Sequence, residues 1–256
     1  MTGGTDQAAD NSRSRSPVNT LNLLCLPYSG ASAMVYSRWH RKLPAWLHVH
    51  PVELPGRGVR MGEPLHTDMQ ALARQLAGEQ RLAASTPYAL LGHSLGALLA
   101  FELAHELQAL GCLAPRALFA CGTAAPTRRE DYAGRNWCEA KSDEQLIDEL
   151  RELNGTPEAV LANAELMALT LPVLRADFLL CGRYSYRQRS PLGCPLHVLG
   201  GAADQASEAQ LLAWGEETAG EFSLQWFPGG HFFIHEHEDR VLATLTDVLE
   251  PLRRSA

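Results

Sequence analysis

A serine, an aspartate and a histidine in this chain are of the types that together perform nucleophilic catalysis. Ser94 lies in the pentapeptide G-H-S-L-G at 92–96, and Asp204 and His231 follow it in the sequence. A neutral serine hydroxyl is a poor nucleophile, so it needs a base such as histidine to take its proton. A carboxylate that accepts a hydrogen bond from the histidine fixes its tautomer and stabilises its cation. We therefore predict Ser94 as nucleophile, His231 as base and Asp204 as the orienting acid.

The residues around Ser94 predict a strand, a sharp turn and a helix. Apolar residues precede the pentapeptide at 88–91 and follow it at 97–100. Glycine two residues before and after the serine allows a tight, strained turn that exposes the serine oxygen. In such a turn the backbone N–H of Leu95 would donate to the oxyanion of a tetrahedral intermediate. We expect the second donor in the loop after the first strand, at the backbone N–H of Ser29.

Short apolar runs alternate with helical patterns along the chain, which predicts a parallel sheet covered by helices on both faces. Ligand sites of such sheets lie at the carboxyl ends of the strands, where Ser94, Asp204 and His231 can converge. The order serine, aspartate, histidine is that of the α/β-hydrolases, so we predict an α/β fold of that kind. The predicted strands are 21–26, 48–54, 88–93, 117–121, 195–201 and 222–227, and helices are predicted at 34–43, 67–84, 95–110, from 207 onwards and at 239–252.

The alternation stops between the fourth and fifth predicted strands. Residues 123–190 show helical signals only: a capping box at Ser142, a start at Thr156-Pro157, and a helix over 165–180 that we expect Pro172 to interrupt. This stretch is predicted to be an all-helical insertion. We expect 20–256 to form a single domain and the polar residues 1–19 to be a disordered tail.

Composition excludes several function classes. The 256 residues carry a formal net charge of −7, which argues against a nucleic-acid partner. No segment has the apolar core of a secretory signal or the 18 or so apolar residues of a membrane span, so we expect a cytoplasmic protein without a membrane partner. The six cysteines form no C-x-x-C pair and are predicted to be free buried thiols.

Each candidate residue has a simpler interpretation. Asp204 could be a loop residue before the helix that Ser207 caps, and His231 could be a solvated turn residue. The histidines at 231, 235 and 237 lack an H-E-x-x-H pattern, so we predict no metal site. Cys121 is a weak alternative nucleophile because no elbow surrounds it. The arginines and tyrosines over 183–189 indicate a solvated face or a docking patch for an acidic partner.

Four further segments carry a family resemblance, which covers roughly residues 21–252. They are L-P-Y-S-G-A-S at 26–32, E-L-P-G-R-G at 53–58, L-P-V-L-R-A-D-F at 171–178 and G-G-H-F-F at 229–233. With the pentapeptide, they resemble the type II thioesterases that edit nonribosomal peptide and polyketide assembly lines. The family commonly reads P-H-A-G-G-S in the first loop, so Tyr28, Ser29 and Ala31 depart from it.

The resemblance implies a thioester hydrolase that removes aberrant or stalled acyl or aminoacyl groups from the phosphopantetheine arm of carrier proteins. It also implies a monomer without a cofactor, and a helical insertion that acts as a mobile lid. A siderophore cluster such as that of pyochelin is one hypothesis for the setting. Two alternatives stay open at this point: a carboxylesterase or lipase acting on small free esters, and a non-catalytic module that binds carrier proteins.

Overall fold

Six parallel strands form one sheet at the centre of the fold, in the order β2-β1-β3-β4-β5-β6. The structure is a computed structural model and describes residues 20–132, 139–153 and 155–253; the predicted tail at 1–19 lies outside the described residues. The parallel sheet predicted from the sequence is therefore confirmed. The strands are β1 (Leu21–Leu26), β2 (Leu47–Pro51), β3 (Tyr88–His93), β4 (Leu118–Cys121), β5 (Leu196–Gly201) and β6 (Phe222–Phe227).

Helices connect the strands and cover both faces of the sheet. Side chains along β1 point alternately to the two faces of the sheet, and both sets are apolar, so both faces must be buried. Leu24 and Leu26 belong to one apolar core, and Leu23 and Cys25 belong to the other. The helices are α1 (Met69–Gln80), α2 (Leu95–Ala109), α3 (Asp143–Glu152), α4 (Glu158–Leu161), α5 (Ala164–Gly182), α6 (Glu208–Leu212), α7 (Phe233–Glu236) and α8 (Glu238–Leu252).

Local capping signals act as predicted. The Ser142 and Ser207 hydroxyl oxygens each accept a hydrogen bond from the N–H three positions on. The side-chain oxygens of Gln145 and Gln210 accept one from the N–H of the capping serine, so α3 and α6 both begin with capping boxes. Gly111, at φ +73°, follows the last turn of α2. A side-chain oxygen or a left-handed glycine satisfies backbone groups that a helix end leaves unpaired.

The helix predicted at 34–43 is wrong. The chain forms two short 3₁₀ helices there, Ala33–Tyr36 and Trp39–Arg41. Tyr36 and Trp39 are fully buried and pack edge to face with ring centroids 4.8 Å apart. Ser37 and Arg38 separate the two short helices, and each helix contributes one large ring to the same apolar core.

The interruption predicted at Pro172 is also wrong, because α5 continues through this proline. Pro172 lacks the N–H that would bond to the Ala168 carbonyl, which normally kinks or ends a helix. Here Leu171 and Leu174 on either side of it are buried in an apolar cluster with residues of α3 and α4. Packing of this face outweighs the missing hydrogen bond.

The described residues between β4 and β5 contain helices and loops but no strand; their one isolated bridge joins Leu192 to Thr218. Five cysteines of the described chain are free, and Cys138 lies outside it; Cys112 is half-buried, and the other four are buried. Among the described residues, no helix is long and apolar enough to cross a membrane.

Candidate active site

Ser94 occupies the turn between β3 and α2 in a strained conformation. Its φ is 56° and its ψ is −117°, and it is the only non-glycine residue with positive φ in the described chain. Its N–H donates to the Cys121 carbonyl at 2.8 Å, which ties the turn to the end of β4. A non-glycine residue at positive φ costs of order 1–3 kcal/mol and persists only where its surroundings hold it. The turn therefore has the backbone geometry that the pentapeptide predicts.

The two glycines of the pentapeptide are required by close backbone contacts. A Cβ atom at Gly92 would lie 2.0 Å from the Gly96 carbonyl oxygen, and one at Gly96 would lie 2.2 Å from the Leu26 carbonyl oxygen. Neither neighbour is a flexible side chain that could move aside. Because the two glycines have no side chains, α2 can begin against β1 and β3, which brings Ser94 to the carboxyl edge of the sheet.

Asp204 and His231 form a direct hydrogen-bonded pair at the same edge. His231 Nδ1 lies 3.1 Å from Asp204 Oδ1 and 3.0 Å from Oδ2. The His231 side chain is 14% exposed and that of Asp204 is 4% exposed. Because the carboxylate only accepts, Nδ1 carries the proton and donates it. With the proton on Nδ1, Nε2 supplies the acceptor that a general base needs.

The loops that carry this pair are joined by backbone hydrogen bonds. After β5, the Ala202 N–H donates to the carbonyl of Phe227, the last residue of β6, and the Ala203 N–H donates to the carbonyl of Gly229 in the next loop, each at 2.8 Å. Gly201 lies so close to the second loop that a Cβ atom would sit 2.3 Å from the Gly230 carbonyl oxygen. The acid and the base are therefore held in register although they lie far apart in the sequence.

His93 connects Ser94 to the His231 loop. Its fully buried ring donates from Nε2 to the His231 carbonyl oxygen at 2.8 Å, and the two histidine ring centroids lie 5.0 Å apart. Burial, with the nearby His231 and His235, holds the pKa of His93 well below its usual value, so the ring is neutral. No hydrogen bond joins Ser94 to His231 among the described residues; such bonds are often long in free enzymes and shorten with substrate.

Ser29 lies in the loop between β1 and the first 3₁₀ helix. Beside it, Tyr28 packs edge to face on His93, Phe232 and His235, with its hydroxyl 3.1 Å from His235 Nε2. Tyr28 occupies the position at which the family commonly has histidine. Tyrosine at this position therefore puts an aromatic ring in contact with His93, the residue before the nucleophile.

The helical insertion reaches this site through Gly155, between α3 and α4. A Cβ atom at Gly155 would lie 1.9 Å from Cε2 of Phe232, the residue that follows His231. Phe232 also packs edge to face on His231, with centroids 5.2 Å apart. The insertion and the base loop are therefore in van der Waals contact.

Sequence reasoning missed Gly122, which follows β4. Gly122 has φ +63°, and a Cβ atom there would lie 2.7 Å from His93 Nε2 and 3.5 Å from Asp204 Oδ2. The available signal was a glycine directly after an apolar strand, at the edge where the other site residues follow their strands. Only the fold reveals that it makes room for His93, the histidine that donates to the His231 carbonyl.

Other candidates lie outside this arrangement. Cys121 is buried, and burial raises the pKa of its thiol well above its usual value, which disfavours the thiolate that attacks. No group of three metal-ligating side chains occurs in the described part of the chain.

Tyr184 and Arg189, predicted to be surface residues, both donate to the buried Glu102 at 2.6 Å, so they are not a free docking patch.

Known proteins are similar to this chain in fold and in sequence. A family model described as "Thioesterase domain" matches residues 21–249. Gramicidin S biosynthesis protein GrsT of Aneurinibacillus migulanus is 41% identical over 220 residues, which cover 84% of each chain. The solved structure of RedJ, a thioesterase of the prodiginine pathway in Streptomyces coelicolor, has a TM-score of 0.83 at 38% identity, covering 90% of this chain and 85% of RedJ.

A second solved structure is that of BorB, a type II thioesterase from the borrelidin biosynthetic cluster. It matches with a TM-score of 0.81 at 38% identity and covers 90% of this chain and 93% of its own. The family match spans almost the whole described chain, and the fold agrees with that of both solved thioesterases. The chain therefore belongs to the thioesterase family and is an enzyme of the α/β-hydrolase fold that hydrolyses thioesters.

Proposed function

We propose that this thioesterase removes aberrant or stalled acyl and aminoacyl groups from the phosphopantetheine thiol of carrier proteins, with Ser94 as its nucleophile. The observation that carries the proposal is the Asp204–His231 hydrogen bond beside a serine held at positive φ between β3 and α2. The relatives named for gramicidin S, prodiginine and borrelidin biosynthesis support the assembly-line setting. A siderophore cluster such as that of pyochelin stays a prediction.

In the first half-reaction, Ser94 Oγ attacks the thioester carbonyl carbon while His231 Nε2 takes the hydroxyl proton. Asp204 accepts the Nδ1 hydrogen bond and stabilises the imidazolium that forms. The C–S bond then breaks, leaving an ester on Ser94, and the His231 proton neutralises the leaving thiolate. A thiolate is a better leaving group than an alkoxide. Protonation of the leaving group by His231 therefore contributes less here than in an esterase.

The oxyanion of the tetrahedral intermediate needs two N–H donors. Leu95 is the first residue of α2, and the first N–H groups of a helix have no acceptor within the helix. Ser29 is the proposed second donor: its N–H makes no backbone hydrogen bond to any described residue. The positive end of the α2 dipole adds to the stabilisation of the negative oxygen.

In the second half-reaction, water replaces the thiol. His231 Nε2 takes a proton from water as the oxygen attacks the Ser94 ester, and then returns a proton to Ser94 Oγ as the carboxylic acid leaves. The cycle uses only protein side chains and water, so the proposal includes no cofactor.

The helices α3, α4 and α5 are proposed to form a lid over the acyl group. The contact between Gly155 and Phe232 supports this role, because it places the insertion against the base loop. A carrier protein is proposed as the partner that delivers the acyl group on its phosphopantetheine arm beneath this lid.

Mass spectrometry of a carrier protein loaded with acetyl, aminoacyl or longer acyl groups tests the proposal. We expect the wild-type enzyme to remove the acyl group, and Ser94→Ala to slow this by about 10⁴-fold or more. Ser190→Ala, at an exposed serine of the loop after α5, is the matched control and should keep the wild-type rate. Deacylation by Ser94→Ala at the wild-type rate would refute the catalytic assignment.

A second comparison tests the substrate class. The same acyl groups are offered as small free esters and on the carrier, and kcat/KM is measured for both. We expect a clear preference for the carrier-bound thioester. Fast turnover of free esters with no preference for the carrier would favour a carboxylesterase instead.

A further inference from the structure

The loop that contains Ser29 is held by a buried ion pair from two distant segments. Arg57, after β2, donates from Nη1 and Nη2 to Oδ2 and Oδ1 of Asp177 on α5, at 2.6 and 2.7 Å. Asp177 Oδ2 also accepts the Gly30 N–H at 2.8 Å, and Arg57 Nη1 lies 3.4 Å from the Ala31 carbonyl oxygen. The pair therefore contacts the backbone directly after Ser29.

One face of α5 carries this contact. Leu174, Asp177 and Cys181 are spaced by three and four residues, so they lie on the same side of the helix. Gly30 has φ +79°, and a Cβ atom there would lie 3.0 Å from Leu174 Cδ1. The helix thus touches the loop at Gly30, through both Leu174 and Asp177.

The other end of the loop is held by Glu53. Its carboxylate accepts the Ser32 hydroxyl at 2.6 Å and the Ala33 N–H at 3.0 Å. Asp177 and Glu53 therefore fix the loop on both sides of Ala31. Between these two points the backbone has little freedom to rotate.

Net stabilisation alone is a weak reason for the buried pair. Asp177 is fully buried and Arg57 is 6% exposed, and Arg57 Nε is buried with no hydrogen-bond partner among the described residues. Removing two charges from water costs much of what their attraction returns, and well-packed apolar residues often replace such pairs without loss of stability. The two hydrogen bonds from Arg57 fix the Asp177 carboxylate, and that carboxylate sets one position for the Gly30 N–H. Apolar side chains would not set this position.

We propose that Arg57 and Asp177 are positioning residues that orient the Ser29 N–H towards the oxyanion. The inference rests on the proposed role of Ser29 in catalysis. The carbonyl of Ser29 and the N–H of Gly30 belong to one peptide plane, so a displaced Gly30 N–H rotates the backbone of Ser29. The insertion would then contribute to transition-state stabilisation through this contact, in addition to covering the substrate.

Asp177→Asn tests the proposal against Glu102→Gln, a matched neutralisation of a second buried acid that pairs with an arginine, Arg189, outside the loop. An Asn side chain cannot accept from Gly30 and from both arginine nitrogens at once. We expect Asp177→Asn to lower kcat at least about tenfold with little change in KM, since oxyanion donors act in the transition state. Glu102→Gln should keep kcat within about twofold of wild type in folded enzyme, because it leaves the loop unchanged.

If Asp177→Asn does not fold, the double variant Arg57→Met with Asp177→Leu replaces the pair by apolar side chains and leaves no unpaired charge. Its kcat is expected to fall in the same way, at a thermal midpoint close to wild type. A kcat within twofold of wild type in either folded variant would overturn the proposal, as would failure of both variants to fold, which would make the pair structural. Ser94→Ala separates this result from the proposed function: if that variant is inactive while Asp177→Asn is fully active, only the positioning role fails.

Discussion

Single backbone conformations at Ser94 and Gly122 decide where the reacting groups lie. Ser94 has a side chain at φ 56°, which ordinary residues avoid, whereas Gly122 has φ +63° and no side chain at all. At Ser94 the strain exposes the hydroxyl. At Gly122 the missing Cβ leaves space for His93, whose ring holds the His231 carbonyl. Each residue directly follows a strand, and its N–H donates to a carbonyl of the neighbouring strand, which holds it in place.

Gly122→Ala is predicted to impair catalysis more than stability alone explains. The new Cβ would lie 2.7 Å from His93 Nε2 and displace the ring from its hydrogen bond to the His231 carbonyl. We expect kcat on an acyl carrier to fall about tenfold or more. Gly111→Ala is the control, because Gly111 has φ +73° with no atom near its Cβ position. It should lose about 1–2 kcal/mol of stability and keep kcat. Equal kcat values for the two variants would contradict this account.

The turn between β3 and α2 shows how one element depends on glycines for different reasons. Gly92 and Gly96 are needed because backbone atoms approach them, and Gly201 performs the same function between the β5 and β6 exit loops. Gly78, in the last turn of α1, faces open space and has no such neighbour. Its only local effect is a larger loss of backbone entropy on folding.

Gly96→Ala and Gly78→Ala are therefore predicted to change stability in opposite directions. At Gly96 the Cβ would lie 2.2 Å from the Leu26 carbonyl oxygen, which forces α2 away from β1 and costs about 3 kcal/mol or more. At Gly78 alanine should gain about 0.5–1 kcal/mol. Urea unfolding of both variants, with deacylation rates, checks the pair. A Gly96→Ala enzyme with wild-type stability and activity would show that the close contact is not required.

Elements with strong local signals were predictable from the sequence. The β6 strand and both capping boxes lie where the alternation and the Ser-x-x-Gln pattern indicate. The 3₁₀ helices before β2 were not, because the burial of Tyr36 and Trp39 depends on the sheet below them. Nor was the continuation of α5 through Pro172, which depends on packing against α3 and α4. Local propensity decides less than tertiary packing in both cases.

The candidate site divides in the same way. Ser94, Asp204 and His231 were predicted from their order in the chain and from the apolar runs that precede them. The fold places all three at one edge of the sheet. The pairing of Arg57 with Asp177 could not be predicted, because the two residues lie 120 positions apart in two separate family segments and neither segment indicates that it contacts the other. Gly122 was missed since a glycine after a strand is common and its neighbours come from other strands.

At the scale of the whole molecule, several histidines are kept neutral by burial. Desolvation lowers the pKa of His93 and His197 below the usual value, and lowers that of His105 to about 4. In the unfolded chain each of these rings takes up a proton near pH 6.5. Between that pH and the folded pKa, the unfolded state therefore binds more protons than the folded state, and the free energy of unfolding decreases as the pH falls.

His105→Leu is predicted to reduce this acid sensitivity. His105 packs edge to face on Phe101, and its Nε2 is buried without a hydrogen-bond partner in the described chain, so an apolar side chain fits the site. We expect urea unfolding between pH 7.5 and 4.5 to show stability falling below about pH 6.5 in the wild type, and less steeply in His105→Leu. The exposed His40, replaced by Gln, is the control and should leave the slope unchanged. An identical slope in wild type and His105→Leu would mean that this ring takes up its proton in the folded protein as readily as in the unfolded chain.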